Sequence, residues 1–390
     1  MLTMALGQPI LQFGTSRFLQ AHVDLFVSEA MTGGDALGGI TVVQTTDDAR
    51  STARVAALAT GRGHPVRIRG LANGREVDEQ RHCHAVRAAL RTATDWPAVR
   101  REFRGDRLQV VVSNTGDAGW QLDDTDGPQA LAMDAAAPRA FPAKLLVALH
   151  DRCQARPEAA LTLLPCELVA RNGERLRDLV VGLAGRWGLD DAFQSWLRER
   201  PVWANSLVDR IVPEPIEPVG AVAEPYALWA IERQPGLVLP CRHADIVLAD
   251  DLGPFERLKL WLLNLGHTAL AELWLRDGQP HGRTVLDAMR DEPTRLALER
   301  LWAEEVLPVF DALGEGRQAR AYLTRLRERL LNPWLAHRLA DIAANHTLKK
   351  ERRLAPVVAA AQRCAPALAQ PWLRGALASS ASPDAKESLQ

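Results

Sequence analysis

The sequence predicts an α/β domain built on a doubly wound parallel sheet, followed by an all-helical C-terminal domain. Three observations carry that expectation. Strand and helix signals alternate through the first third of the chain, β-branched runs nearly vanish after about residue 253, and from there Pro and Gly fall mostly between stretches of helical period. Ile10–Phe13 is a short apolar strand that runs into Gly14, and residues 18–30 carry apolar side chains at helical spacing. Ile40–Gln44 is a second strand, and residues 108–113, with three consecutive valines, are a third. Continuous apolar strands of this kind suit a parallel sheet covered on both faces. Residues 161–165 read as a further buried strand and 173–183 as the helix after it. Residues 205–251, irregular and rich in Pro and Val, are expected to finish the sheet. Helices are then expected over 255–276, 284–291, 293–313, 318–330, 333–344 and 353–364. The expected domains are therefore 1–252 and 253–378, with 379–390 a small, polar, disordered tail.

The chain has 390 residues, 47% of them apolar, which is enough for two domains. Its 47 Lys+Arg against 48 Asp+Glu leave a net charge of −1, so no global field holds nucleic acid or an anionic membrane. Apolar runs such as 260–263 fall far short of the ~20 residues that span a bilayer. Residues 1–8 have neither the basic start nor the apolar core of a signal peptide. Five cysteines, odd in number and without a CxxC pair, argue against a disulfide framework and a thiolate zinc site. A soluble cytoplasmic protein follows as the expectation.

Three loops invite a ligand. Gly14-Thr15-Ser16-Arg17-Phe18 closes the first strand with small residues before a helix, which lets backbone N–H groups approach a pyrophosphate. Ser16 stands where the G-x-G-x-x-G fingerprint has its second glycine, and an ordinary strand–helix turn would read the same way. The second strand ends in Gln44-Thr45-Thr46-Asp47-Asp48, where an acid can accept from ribose hydroxyls and repel a 2′-phosphate. Arg50 leaves a phosphorylated cofactor open, and adjacent acids also suit a solvated turn. Ser113-Asn114-Thr115 leaves the third strand where a doubly wound sheet puts its ligand-facing loops. Together the three favour a dinucleotide.

The stretch around Lys259 says more about chemistry. On a wheel of about 100° per residue with Lys259 at 0°, Glu256 falls near 60°, His267 near 80° and Asn264 near 140°. These polar groups share a face of a helix that is apolar nearly all round and so should be buried. Either the lysine snorkels to water while Asn and His satisfy neighbouring loops, or desolvation makes a neutral amine that serves as a general base. In the second case Asn264 donates to an oxygen that becomes negative. Asn205-Ser206 before an apolar segment also suits a turn or a helix cap. His82 and His84 flank Cys83 without a second ligand pair, and Lys349-Lys350-Glu351-Arg352-Arg353 lacks the aromatics of a nucleic-acid surface.

Taken together, Lys259-x4-Asn264-x2-His267, Asn205-Ser206-Leu207-Val208-Asp209-Arg210-Ile211, the Phe13-Gly14 turn and the Val112-to-Gly119 loop occur in the order seen in the mannitol dehydrogenase family, and the chain resembles that family over most of its length. The resemblance implies a Rossmann-type N-terminal domain, a helical substrate domain, NAD (with NADP open) and no catalytic metal. It implies Lys259 as general acid/base, Asn205 and Asn264 on the reacting oxygen, His267 orienting substrate, Glu256 assisting proton movement and Asp209 near the substrate. Pro165-Cys166-Glu167-Leu168 with Asn172-Gly173, and Asn345, Lys349, Arg353 and Pro356, resemble the tagaturonate/fructuronate reductase branch, whose substrates are hexuronates. Lys349 or Arg353 would there pair with a substrate carboxylate. Thr15-Ser16-Arg17 departs from the E-G-N of that branch. The expected function is NAD-dependent interconversion of a keto-sugar acid and an aldonate. The alternatives are a polyol dehydrogenase of mannitol type giving a ketose, and a nucleotide-sensing protein without turnover. Monomer and dimer both stay open.

Overall fold

A computed structural model of the chain describes residues 7–46 and 49–379. The tail expected to be disordered lies, apart from Ser379, outside the described residues. The chain divides into two compact units, residues 1–68 with 79–252, and residues 69–78 with 253–390.

In the first unit the described strands are β1 (Ile10–Phe13), β2 (Ile40–Gln44), β3 (His64–Ala72), β4 (Arg75–Cys83), β5 (Val86–Arg91), β6 (Val110–Ser113), β7 (Thr162–Pro165), β8 (Val202–Trp203), β9 (Ser206–Asp209), β10 (Glu214–Pro215), β11 (Ala221–Ala223), β12 (Leu228–Glu232) and β13 (Ile246–Ala249). The far turn of the β3–β4 hairpin, 69–78, groups with the second unit. The main sheet is parallel and runs β5-β2-β1-β6-β7-β8. Numbered within the sheet, that is the 3-2-1-4-5-6 order of two mononucleotide-binding halves, which meet between β1 and β6. The helices are α1 (Arg17–Gln20), α2 (Val23–Gly33), α3 (Ala49–Ala59), α4 (Thr92–Arg104), α5 (Phe141–Ala155), α6 (Asn172–Arg186) and α7 (Asp191–Glu199). One apolar core packs Leu11 and Phe13 of β1 and Val111 of β6 against Phe103 of α4 and Leu145 and Leu149 of α5.

Two departures from the expected elements have visible causes. The helix expected over 18–30 is broken at Ala21 and His22 because the buried Arg210 guanidinium takes the Ala21 carbonyl (2.6 Å) and the His22 ring bonds the Leu228 carbonyl (3.1 Å). Residues 205–251 do not finish the main sheet, which stops at β8. They build a three-stranded sheet, β13-β12-β9, and add β10 and β11 to the β3–β4 hairpin. The Asn172 side chain turns the chain away at Ser206, accepting its N–H (2.8 Å) and donating to its carbonyl (2.9 Å).

The second unit is helical: α8 (Gly253–Arg257), a π-helix (Leu258–Asn264), α9 (Leu265–Arg276), α10 (Val285–Arg290), α11 (Glu292–Leu301), a second π-helix (Trp302–Val306), α12 (Leu307–Ala312), α13 (Gly316–Leu330), α14 (Leu339–Ala343), α15 (His346–Arg353), α16 (Ala355–Cys364) and α17 (Pro371–Ala378). A Cβ on Gly266 would stand 2.7 Å from Trp302 Cζ2, so glycine lets α9 lie against the second π-helix. The helix expected over 333–344 forms only as α14, because Asn332 Oδ1 takes the Trp334 N–H (3.1 Å) and diverts the backbone. The helix expected over 353–364 is interrupted after Arg353, where Pro356 brings no N–H, and α15 precedes the break. Among the described residues no helix is long and apolar enough to cross a membrane.

Candidate active site

Gly14 leaves β1 at φ +110°, and a Cβ there would stand 2.5 Å from the Asn114 carbonyl oxygen, so only glycine lets β1 and β6 release their chains this close together. Ser16 has an ordinary extended backbone and caps α1, accepting the Leu19 N–H at 3.3 Å. This explains why the second fingerprint glycine is dispensable here. Thr15 is buried, its hydroxyl bonded to Gln44 and its carbonyl taken by Gln20 Nε2 (2.9 Å). Gln44 in turn donates to Thr46. Two of the candidates are engaged elsewhere: the exposed Arg17 donates to the Val212 carbonyl (2.9 Å), and Phe18 stacks on the His22 ring at 4.8 Å. Asp47 and Asp48 lie outside the described residues.

A cavity of about 290 Å³ opens at the carboxyl ends of β2 and β6, lined by Thr45, Thr46, Thr115, Asp123, Phe141 and Lys144 among others. Open α/β sheets bind ligands in that position. Burial lowers the Lys144 ammonium to about 8 against the pull of Asp126, and its Nζ donates to the Arg139 carbonyl.

Glu167 organises the loop after β6. Its carboxylate is 3% exposed and accepts from Ser113 Oγ (3.0 Å), Thr115 N (3.0 Å) and Thr115 Oγ1 (3.2 Å). Burial pushes its pKa up, opposed by those donors. Asn114 Nδ2 meanwhile donates to the Cys166 carbonyl (2.9 Å). Asn172 joins this loop to the next segment, donating to the carbonyls of Pro165 (2.9 Å), Glu167 (3.1 Å) and Ser206. A Cβ on Gly173 would stand 2.5 Å from the Ala204 carbonyl carbon. The P-C-E-L and N-G residues thus hold backbone together within the first unit.

Asn205, 4% exposed, is occupied on both sides. Its Oδ1 accepts from Glu174 N (3.2 Å), and its Nδ2 donates to Glu174 Oε1 (3.0 Å) and Glu232 Oε2 (2.6 Å). Asp209 is buried in β9 opposite Leu228. Arg210 bonds the Glu224 carbonyl through Nε (3.1 Å) and Nη2 (2.9 Å), and burial lowers it to about 10.

In the second unit Lys259 and Asn264, both half-buried, lie in the π-helix rather than in a regular α-helix. There the backbone bond reaches five residues back, as the Leu265 N–H does to the Leu260 carbonyl. Residues five apart therefore come into line, and Lys259 and Asn264, about 140° apart on the regular wheel, share a side. Such insertions are frequent at functional sites. Glu256 sits half-buried on α8 one turn before the lysine. His267 is buried in α9, its ring edge-on to His337. Arg353 of α15 donates to the Asn264 carbonyl (3.4 Å) and Thr268 Oγ1 (3.0 Å). Lys349, one turn earlier, donates to the Ile342 carbonyl (2.8 Å), and burial and then Arg353 lower its pKa. The structure brings Asn264, His267, Lys349 and Arg353 together within this unit. Asn205 belongs to the other unit. Among the described residues no three His, Cys, Asp or Glu cluster as a metal site would require.

Sequence reading passed over Glu167 and Asn172 as site residues and His337 altogether. The first two stand in a segment whose pattern was noticed, but the partners that join them to other strands are 34 to 54 residues away. His337 lies 70 positions from His267, and no spacing rule joins them.

Residues 8–237 match the family model of the mannitol dehydrogenase Rossmann domain, and residues 251–370 that of the mannitol dehydrogenase C-terminal domain. Altronate oxidoreductase from Bacillus subtilis (strain 168) is 30% identical over 373 residues, covering 90% of this chain and 74% of the relative. The enzyme of that name from Klebsiella pneumoniae subsp. pneumoniae is 31% identical, covering 95% and 78%. Among solved structures, a D-sorbitol dehydrogenase in substrate-free form superposes with TM-score 0.75 at 20% identity, covering 92% of this chain and 77% of that one. Pseudomonas fluorescens mannitol 2-dehydrogenase, solved with NAD and D-mannitol, gives TM-score 0.73 at 19% identity, covering 96% and 79%. At these identities the two structures speak for the fold.

Proposed function

Because the chain belongs to the mannitol dehydrogenase family, we propose that it is an NAD-dependent oxidoreductase acting on a CH–OH group, interconverting a keto-sugar acid of the hexuronate class and the corresponding aldonate. One observation carries the acid substrate. Lys349 and Arg353 stand one helical turn apart on α15, and Arg353 is bonded to the backbone of Asn264, so two cations accompany the reacting end. Two cations suit a carboxylate. The altronate oxidoreductases at 30 and 31% identity support the same reading. A dinucleotide fits the first unit: glycine is required at Gly14, and the cavity lies at the β2 and β6 exits.

Bound NAD supplies the hydride acceptor. In the oxidising direction Lys259, as neutral amine, takes the proton of the hydroxyl borne by the carbon that loses hydride, and the C–O bond becomes a carbonyl. In the reducing direction the ammonium returns that proton to the oxygen. Asn264, in line with the lysine through the π-turn, donates to the oxygen while it is negative. His267 orients the sugar. Asn205 gives both amide hydrogens to Glu174 and Glu232, so a role on the reacting oxygen requires it to release one carboxylate.

The test is NADH consumption at neutral pH with tagaturonate, fructuronate, fructose and a ketose phosphate in parallel, each repeated with NADPH. Turnover of a uronate alone is the expected result, and turnover of fructose alone would make the chain a polyol dehydrogenase. A Lys259→Ala variant should lose about 10²–10⁴-fold in turnover while still binding NADH. Unchanged turnover would remove the lysine from the chemistry.

A further inference from the structure

The helical unit fixes a second histidine beside the first. His337 meets His267 edge-on, with ring centroids 4.8 Å apart and planes at 72°. It is carried by the non-helical stretch between α13 and α14, which is held from several sides. Asn332 Nδ2 donates to the Arg69 carbonyl (3.1 Å), and the Arg69 guanidinium lies over the Trp334 ring at 4.9 Å. The Asn73-Gly74 turn of the same hairpin offers both its N–H groups to Glu328 of α13, at 3.2 and 2.6 Å. Val285 N donates to the His337 carbonyl itself (2.9 Å), and Thr284 bridges Arg338. The backbone under His337 is thus bound both to the 69–78 hairpin and to the start of α10.

The groups facing His337 come from three elements: His267 of α9, Asp341 of α14 and Lys349 of α15. Burial, and less strongly Lys349, lower its pKa below 6.5 while Asp341 opposes, so the ring is neutral at neutral pH. The last torsion of a histidine is broad and has no strong rotamer preference. A T-shaped contact such as the one His337 makes with His267 biases one ring plane by roughly 2- to 10-fold.

We propose that His337 is a positioning residue: its ring edge sets the plane of His267 and so the direction from which His267 meets the sugar, while the 69–78 hairpin holds the segment that presents it. This rests on the reading of the chain as a sugar oxidoreductase with His267 at the substrate. His337 touches neither the reacting atoms nor the cofactor in this role.

The experiment uses the full chain with His337→Ala and His337→Phe. In steady-state kinetics with the keto-sugar acid that the wild type turns over, the alanine variant should raise the KM for sugar roughly 2- to 10-fold with the KM for NADH unmoved. The phenylalanine variant keeps an aromatic edge and should restore the sugar KM to within about twofold. Trp334→Ala, which loosens the segment, should reproduce the alanine signature. An unchanged sugar KM in His337→Ala, a parallel rise in both KM values, or no rescue by phenylalanine would each overturn the proposal. A second readout needs no turnover and so separates this idea from the functional reading. The His267 ring resonances, assigned by their loss in His267→Gln, should lie close together in the wild type and His337→Phe and shift in His337→Ala. Resonances that do not move in the alanine variant would overturn it even if every sugar tested were inert.

Discussion

Glu167 shows how a residue can matter to a site without facing a ligand. Its two carboxylate oxygens accept one backbone N–H and two hydroxyls from Ser113 and Thr115, all of them on the loop where β6 ends. Glutamine keeps the shape and an oxygen for Thr115, but it removes the charge that the three donors stabilise and forces the Ser113 hydroxyl to turn from donor to acceptor. That change costs about 1–3 kcal/mol. Glu167→Gln is therefore expected to raise the KM for NADH about tenfold with little effect on the KM for sugar. A shift in the sugar KM instead would place Glu167 in the substrate site. Because burial raises the carboxyl pKa, protonation on lowering pH should mimic the variant, so the wild-type KM for NADH should climb toward acid and that of Glu167→Gln should stay flat. The sequence made Glu167 visible as part of a pattern but not its task, since hydrogen-bond partners 52 and 54 residues away leave no trace in spacing. The grouping of Lys259, Asn264 and His267 was legible because one uninterrupted helical run, the π-helix and α9, carries all three.

At the scale of elements, legibility followed how local the cause was. β1 and β2 were found to the residue, since four or five consecutive buried and mostly apolar positions are a local signal. The Asn73-Gly74 dipeptide, the strongest short hairpin signal, was there to be read, and the β3–β4 hairpin went unread because its strands are charged on their outer face. The π-helix could not be read: apolar spacing through 255–276 fits a regular helix, and the wider turn shows only in the backbone bonds. Gly266 marks where that wider turn passes into α9. In an ordinary helix, glycine to alanine stabilises by roughly 0.5–1 kcal/mol. Here the added methyl would stand 2.7 Å from Trp302 Cζ2, and Trp302 is fully buried, so something must shift. Overpacking of this kind costs about 1–3 kcal/mol and outweighs the propensity gain. Gly266→Ala should therefore lower the melting temperature and reduce kcat/KM by displacing His267 one residue on; a raised melting temperature would show that the second π-helix gives way freely.

For the whole molecule, the response of stability to pH follows from buried groups that disagree in sign. Asp24 of α2 is 1% exposed, and burial, against a weaker pull from the Gln12 side chain, raises it from 3.8 to about 7. Between those values the native chain holds a proton that the unfolded chain has released, so stability falls as pH rises and is constant above about 7. His22 and His64, both fully buried, are lowered by desolvation from 6.5 to about 3 and about 4. Across that window the unfolded chain binds the extra protons, so each histidine makes stability rise with pH until about 6.5. Two histidines oppose one aspartate up to about 6.5, and the aspartate acts alone from there to about 7. Glu272, held down to about 2 by His346 and Lys350 against its burial, adds its loss only below 4.5. Wild-type stability set by these groups should thus climb from pH 4 and turn over near 6.5. Asp24→Asn isolates the opposing contribution: its free energy of unfolding by urea should match the wild type at pH 4 and exceed it by a few kcal/mol at pH 8. An equal difference at both pH values would mean that Asp24 gives up its proton as readily in the native fold as in the unfolded chain, and that burial does not hold it.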